Sequence, residues 1–266
     1  MLKHMVSDNV MKKIALSFDV EEFDLPREFN SDIDDEEMYQ ISYYGCKKLL
    51  NLLDVPATFF VTANFAKKYP KLIKEISEKN EIGLHADEHK DNYEDMSCDE
   101  ANEKLTKAKK EIEKIINKKI KGFRAPRFYP PDYKLLKKLG FEYDSSLNPC
   151  FIPGRYNNMF KKRKIHFNEG LKVIPASVYP VIRFPMTFLC FRFFNRFSLV
   201  YEKIGTVLNK EYVIMVLHPW DFMDLRKFKI PFFIKKNSGE VMYGVFKDYI
   251  KWCKNKGYGF TTMEKF

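Results

Sequence analysis

Short apolar runs that break off at a chemically loaded residue, with amphipathic stretches between them, constrain this chain more than any other feature. Lys13 to Phe18 is such a run and ends in Asp19, Ala57 to Thr62 is a second, and Glu81 to Leu84 leads straight into His85. Lys121 to Phe123 runs into Arg124, Phe141 to Tyr143 into Asp144, and Tyr212 to Leu217, the most apolar of all, delivers His218. Runs of this length suit buried strands. Between them apolar residues recur at helical spacing: Cys46, Leu49, Leu50 and Leu53 within Ser42 to Leu53, then Leu72, Ile73 and Ile76 within Tyr69 to Glu78. The clearest helix carries Ala101, Leu105, Ala108, Ile112 and Ile115, entered through Ser97 and Glu100 in the pattern of a capping box. Asp132 to Leu139 is a short helix closed by Gly140, and a final helix, Tyr243 to Asn255, precedes a strand near Gly259 to Thr262.

That alternation predicts an α/β fold, a parallel sheet with crossover helices. Asp19, His85, Arg124, Asp144 and His218 each stand just past a strand's C-terminal end, the rim where a barrel of parallel strands gathers its active site. No Gly-rich phosphate loop follows any strand, which favours a barrel over an open doubly wound sheet. A chain of 266 residues with 45% hydrophobic content is enough for one large domain with a sizeable core. The expected division is a flexible extension over 1–11 and a single barrel domain over 12–266, with Met11 an alternative start because Lys12 reads at once as strand.

The same composition argues against several functions. The five cysteines are far apart and form no CxxC, which speaks against a disulfide framework or a thiolate zinc site. The net charge of +10 would permit anionic partners, but most lysines alternate with glutamates on helical wet faces. No nucleic-acid-binding signature appears, so no nucleic-acid partner is expected. The first ten residues lack an apolar leader core, and no stretch approaches the roughly 20 uninterrupted apolar residues of a spanning helix. A cytoplasmic protein, at most peripheral at the inner membrane face, is the expectation.

Two of the five histidines fall in His85-Ala86-Asp87-Glu88-His89. Imidazoles at this spacing can face one ion, and a carboxylate from the Asp19-Val20-Glu21-Glu22 segment would complete three protein ligands. Alone, either piece is weak, since a solvated or locally bonded pair of histidines is the commoner case.

Taken together, these residues resemble the polysaccharide deacetylase superfamily, the NodB-homology domain of carbohydrate esterase family 4. The motifs occur in the family's order between about Lys13 and Phe222: Phe18-Asp19-Val20-Glu21, His85-x-x-x-His89, Arg124-Ala125-Pro126, Asp144-Ser145-Ser146 and Leu217-His218-Pro219. The similarity is greatest to the branch reading Phe-Asp-x-Glu-Glu-Phe first and Ser-Ser-Leu-Asn-Pro later, here Phe18 to Phe23 and Ser145 to Pro149. The resemblance implies a distorted (β/α)7 barrel and a metal-dependent hydrolase that removes an N-acetyl or N-formyl group from an amino sugar of a surface polysaccharide or lipid-linked glycan. Many such deacetylases have two adjacent aspartates in the first motif; here the second place is Val20, and Glu21 is the next inward-facing chance.

On this reading Glu21, His85 and His89 are the metal ligands, for zinc first, with cobalt, nickel or manganese as alternatives. Such an ion would acidify water and polarise a carbonyl. Asp19 is the general base, His218 the general acid, Arg124 the bidentate partner that keeps Asp19 ionised, and Asp144 the group that orients His218. Plainer roles compete: Asp19 as a loop cap, Arg124 as a structural ion pair and Asp144 as a turn residue. Asp221 reads as a loop stabiliser first and as a substrate contact second. Trp220 reads equally as a sugar-stacking platform or as core, and Arg155 and Tyr156 are further substrate-binding candidates. Two other functions remain open: a metal-independent hydrolase of a small cyclic amide, and an inactive barrel that binds glycan or lipid.

One stretch stands apart. Residues 174–201 are rich in aromatics (among them Tyr179, Phe184, Phe188, Phe191, Phe193, Phe194 and Phe197), interrupted by Arg183, Arg192 and Arg196, with Lys161-Lys162-Arg163-Lys164 just upstream. Basic beside aromatic residues suit an element resting on anionic headgroups, which would fit a polyprenyl-linked sugar as substrate.

Overall fold

The computed structural model describes residues 11–193 and 197–266. The first ten residues, nearly all of the expected extension, lie outside the described residues, as do Phe194 and Arg196 of the aromatic stretch. Seven strands, β1 (Lys13–Val20), β2 (Thr58–Thr62), β3 (Glu81–Ala86), β4 (Gly122–Phe123), β5 (Tyr143–Asp144), β6 (Leu171–Val173) and β7 (Tyr212–Leu217), pair in parallel in the order β7-β1-β2-β3-β4-β5-β6. They form the expected distorted (β/α)7 barrel as a curled sheet, extended past β6 by the antiparallel strand His166–Asn168, joined at β1 by Gly259–Phe260, and left open between His166–Asn168 and β7. Ser177 bridges this side towards β7: its N–H donates to the Ile214 carbonyl and its Oγ accepts the Ile214 N–H, both at 2.9 Å.

Strand alternation sorts the side chains. Phe18, Val20, Phe59, Val61, Leu84, Ala86 and Phe123 point outward into the layer shared with the helices. Ala15, Phe60, Tyr143, Ile174 and Ile214 fill the barrel interior with Met263. Two glycines make room there. A Cβ on Gly83 would stand 2.5 Å from the Phe60 ring, and one on Gly122 would stand 2.2 Å from the Tyr143 ring.

The helices follow the sequence periodicity, with one early start. Helix α1 (Asp35–Leu52) begins a full turn and more before Ser42, because Asp34 caps it, accepting the N–H groups of Glu36 and Glu37 at 2.8 and 3.1 Å. That first turn is acidic, so it adds charge favourable to the helix N-terminus but little hydrophobic pattern. Helix α2 (Pro70–Lys79) and helix α3 (Cys98–Ile116) match closely, and Ser97 Oγ accepts the Glu100 N–H at 3.2 Å as its spacing predicts. Leu105, Ala108 and Ile112 of α3 are fully buried, each large side chain contributing about 1.5–3 kcal/mol against the sheet. Helices α4 (Phe188–Phe193), α5 (Ser198–Leu208) and α6 (Glu240–Asn255) complete the wall beside β7 and β1.

Candidate active site

The site forms where β1 ends. Because Phe18 and Val20 face the helices, Asp19 and Glu21 face inward, so Val20 is excluded from the site by strand parity and Glu21 is presented to it. Glu21 is only 3% exposed. Its Oε2 lies 3.0 Å from His85 Nε2 and 3.4 Å from His89 Nε2, and its Oε1 accepts Trp220 Nε1–H at 3.3 Å with His218 Nε2 3.8 Å away. The two histidines do not share a helix. His85 belongs to β3 and His89 to the turn after it, with their rings nearly parallel and 6.4 Å apart between centroids.

Glu22 and two residues that sequence reasoning did not single out, Asp24 and Arg127, hold His89 in place. Its backbone N–H donates to Glu22 at 3.2 Å, its Nδ1 lies 2.6 Å from Asp24 Oδ1, and its carbonyl accepts from Arg127 at 3.2 Å. Arg127 itself sits in the left-handed backbone region at φ 53°, over-determined by bonds of 2.5 and 2.8 Å to Glu28. Nothing in the local pattern marks Asp24 or Arg127, because their partners come from distant segments.

Electrostatics reflect this crowding. Burial alone would raise the Glu21 carboxyl, but His89, His85 and His218 together hold it far below the usual carboxylate range. Burial would lower His89, yet Glu21 and Asp24 lift it to about 9. Glu22, beside them, is raised by burial.

Opposite stands a second buried charge pair. Arg124, fully buried, donates from Nη1 to Asp19 Oδ1 at 2.7 Å, and turns Nη2 and Nε to Ser145 Oγ and the Ser145 carbonyl at 2.9 and 3.2 Å. Asp19 therefore receives one hydrogen bond, not the bidentate pair expected, because Ser145 takes the rest of the guanidinium. Its face lies over the Phe60 ring at 4.2 Å.

Three expectations are corrected at His218. Asp144 does not orient it. Tyr143 and Ser145 point inward, so Asp144, between them, points outward in register with Phe123, where it accepts the Ser146 N–H at 3.0 Å and the Ser146 hydroxyl at 2.5 Å. Burial pushes its pKa up to about 6. The carboxylate facing its Nδ1 is Asp221: Oδ2 lies 3.4 Å from Nδ1 and accepts the His218 backbone N–H at 2.8 Å. Asp221 is thus both the loop stabiliser foreseen and a partner of the imidazole. Secondly, Arg192 does not reach toward headgroups; it is fully buried, with Nη2 2.8 Å from Asp221 Oδ1. Thirdly, Trp220 is no open platform for sugar, being 3% exposed, stacked on His218 at 4.2 Å and donating to Glu21. Burial lowers the His218 pKa, but Asp221 and Glu21 outweigh it and raise the group.

The remaining candidates sit farther out, on a hairpin of Phe151–Ile152 and Tyr156–Asn157. Arg155 comes within 3.5 Å of Glu28, and Tyr156 OH accepts from Asn148 at 3.0 Å.

Two carboxylate–histidine groupings meet at His89, of which one among the described residues brings its ligand atoms within reach of a single ion. Asp24, Glu28 and His89 offer ligand atoms within 4.8 Å of one another, a cluster able to hold a divalent metal. Glu28, however, is already paired with Arg127 and approached by Arg155, so a dication there would meet two guanidiniums. The other set, Glu21 with the Nε2 atoms of His85 and His89, combines a buried anion with two imidazoles, the donor chemistry that suits zinc-like ions. In this arrangement Asp24 binds the far nitrogen of His89, as a carboxylate does behind a ligating histidine.

The fold and site define a class: an open parallel barrel whose C-terminal rim carries a carboxylate–histidine cluster beside an Asp–Arg pair. The chain belongs to the polysaccharide deacetylase family, whose profile matches residues 11–143. The peptidoglycan-N-acetylmuramic acid deacetylase PdaA of Bacillus subtilis (strain 168) is 30% identical over 139 residues, which cover 50% of this chain and 52% of that protein. The matched region thus spans about half the length of this curated relative. Among solved structures, a polysaccharide deacetylase candidate from Mycobacterium smegmatis superposes with TM-score 0.70 at 18% identity, covering 97% of this chain and 90% of that one. Puue allantoinase gives 0.66 at 15% identity, covering 97% and 90%. A CE4 family pseudoenzyme from Bacillus anthracis gives 0.56 at 15% identity, covering 97% and 66%. At these identities the structural matches speak to the fold alone.

Proposed function

We propose that the protein is a divalent-metal-dependent hydrolase that removes an N-acetyl group from an amino sugar of a glycan. The observation that carries this reading is the convergence on one buried carboxylate, Glu21, of His85 and His89 from one side and His218 from the other. A divalent ion on Glu21, His85 and His89 would take over from the protonated His89 imidazole the task of compensating the buried carboxylate, since a ligating histidine is neutral. When bound, such an ion supplies Lewis acidity toward water and a carbonyl.

The chain's own residues supply the rest. Asp19, fixed by Arg124, takes the proton from the water that adds to the acetyl carbon. His218 gives a proton from Nε2 to the nitrogen as the C–N bond breaks, releasing acetate and the free amine. Nε2 is the donor because Nδ1 faces Asp221, which holds the ring and favours its charged form. Opposed acid and base in one pocket is the division of work amide hydrolysis requires.

The name of the Bacillus subtilis relative supports an N-acetylated amino sugar. A surface polysaccharide or its polyprenyl-linked precursor is the substrate class proposed here, with the enzyme acting at the cytoplasmic face of the membrane. The test is metal content together with acetate release, on wild type and Glu21→Ala, using N-acetylated amino-sugar oligomers with and without chelator and added zinc, cobalt, nickel or manganese. Stoichiometric metal that Glu21→Ala loses, with metal-restored acetate release, is the expected result. Wild type that never retains metal would overturn the Glu21–His85–His89 site and favour metal-free hydrolysis of a cyclic amide. Metal without acetate from any amino sugar would overturn the deacetylase reading and leave a glycan- or lipid-binding barrel.

A further inference from the structure

Helix α5 is built inside out. Its buried residues include Ser198, Glu202, Gly205 and Thr206, while Val200, Ile204, Val207 and Leu208 face outward. A helix resting on a protein core normally has the opposite distribution. Phe197, at its N-cap, is 73% exposed. The preceding loop adds Val181, at 89%, with Ile182 and Phe184. Loop and helix are one surface: Phe184 packs edge-on against Tyr201 of α5 with centroids 6.0 Å apart, and Tyr201 OH donates to the Pro185 carbonyl at 3.2 Å.

The border of this surface is basic. Arg183 donates to the Lys161 carbonyl at 3.0 Å, tying the Lys161–Lys164 run to the apolar loop. At the other end of α5 a cleft brings Arg163, Lys164 and Lys210 together with Pro180 and Leu208. Glu211, which also lines it, is neutralised by Lys164 at 2.8 Å. Apolar side chains framed by cations complement anionic headgroups over an acyl layer. A second copy of the chain fits less well, because a two-fold contact would bring the same basic border from both subunits to one interface. With 11 residues, α5 is far shorter than the roughly 20 a crossing needs, so it would lie on a bilayer.

We infer that the outward face of α5, with the 181–184 loop and its basic border, seats the protein on an anionic lipid bilayer. The inference stands on this surface and is independent of the reaction proposed above.

The full chain is sedimented with vesicles of phosphatidylcholine alone and of equal parts phosphatidylcholine and phosphatidylglycerol. Wild type co-sediments with the anionic vesicles only, and less as salt rises. Val200→Asp with Ile204→Asp, both on the exposed face, weakens binding at least about tenfold while the circular dichroism spectrum is unchanged. Phe197→Trp, which keeps the surface apolar, gives an emission blue shift on anionic vesicles, and this variant carries the test should the double substitution misfold. Wild type that ignores phosphatidylglycerol vesicles, or a Phe197→Trp emission they leave unmoved, would overturn the inference. So would a dimer in light scattering that the double variant converts to monomer without any vesicle binding, since a second copy would then cover the face.

Discussion

Replacing Arg124 by Met should strand a buried charge, and the structure lets the cost be worked out. The guanidinium is fully buried, Asp19 is 5% exposed at its side chain, and 2.7 Å separates them. Deleting one partner of such a pair typically costs about 3–5 kcal/mol, because the other charge is left in a low-dielectric site without compensation. For a chain of this size that corresponds to a melting temperature lower by roughly 10 °C. The diagnostic is the second substitution. Adding Asp19→Asn to Arg124→Met removes the stranded charge, so the double variant should melt above Arg124→Met and recover on the order of half the loss. The cost of leaving Ser145 and Phe60 without the guanidinium is common to both variants and cancels in the comparison. Melting followed by far-UV circular dichroism at neutral pH measures it, and acetate release should be lost in both. A double variant that melts no higher than Arg124→Met would refute the reasoning, placing the cost in packing over Phe60 and not in charge.

Two further outcomes follow from the corrected contacts. Asp221→Asn removes the negative charge 3.4 Å from His218 Nδ1, so the imidazolium loses a stabilising partner. The alkaline limb of the kcat/KM profile for acetate release should move to lower pH and kcat should fall on the order of 10²-fold, whereas an unmoved limb would exclude Asp221 as the partner. For Asp144, a folded pKa of about 6 against 3.8 means that the folded state holds the proton more tightly, so its contribution favours folding below about pH 4 and is lost as pH rises through about 6. That amounts to roughly 3 kcal/mol, so Asp144→Asn should gain that much on wild type between pH 4 and 7 in urea melts. Parallel curves for the two proteins would contradict it.

How far the site could be read from sequence depended on how local its causes are. Asp19, Glu21, His85, Arg124 and His218 were legible because each belongs to, or directly follows, a strand whose apolar run is visible in the chain, and strand parity alone separates Glu21 from Val20. The capped α3 helix was legible for the same reason. Asp144 was misread by a single step of that parity: counting strands showed that it ends β5, but not that Tyr143 fills the interior and turns its neighbour outward. Asp24, Arg127 and Arg192 carried no local signal, since each is defined by a partner far along the chain.

The sequence by itself therefore determined the parallel architecture and the rim on which Asp19, Glu21, His85, Arg124 and His218 gather, because periodicity and strand ends are local properties of the backbone. Which charges meet was decided only by the tertiary structure. The curl of the sheet and the register of its strands bring Asp221 to His218, Arg192 to Asp221 and Asp24 to His89. The same packing turned the polar side of α5 inward and left its apolar side facing out.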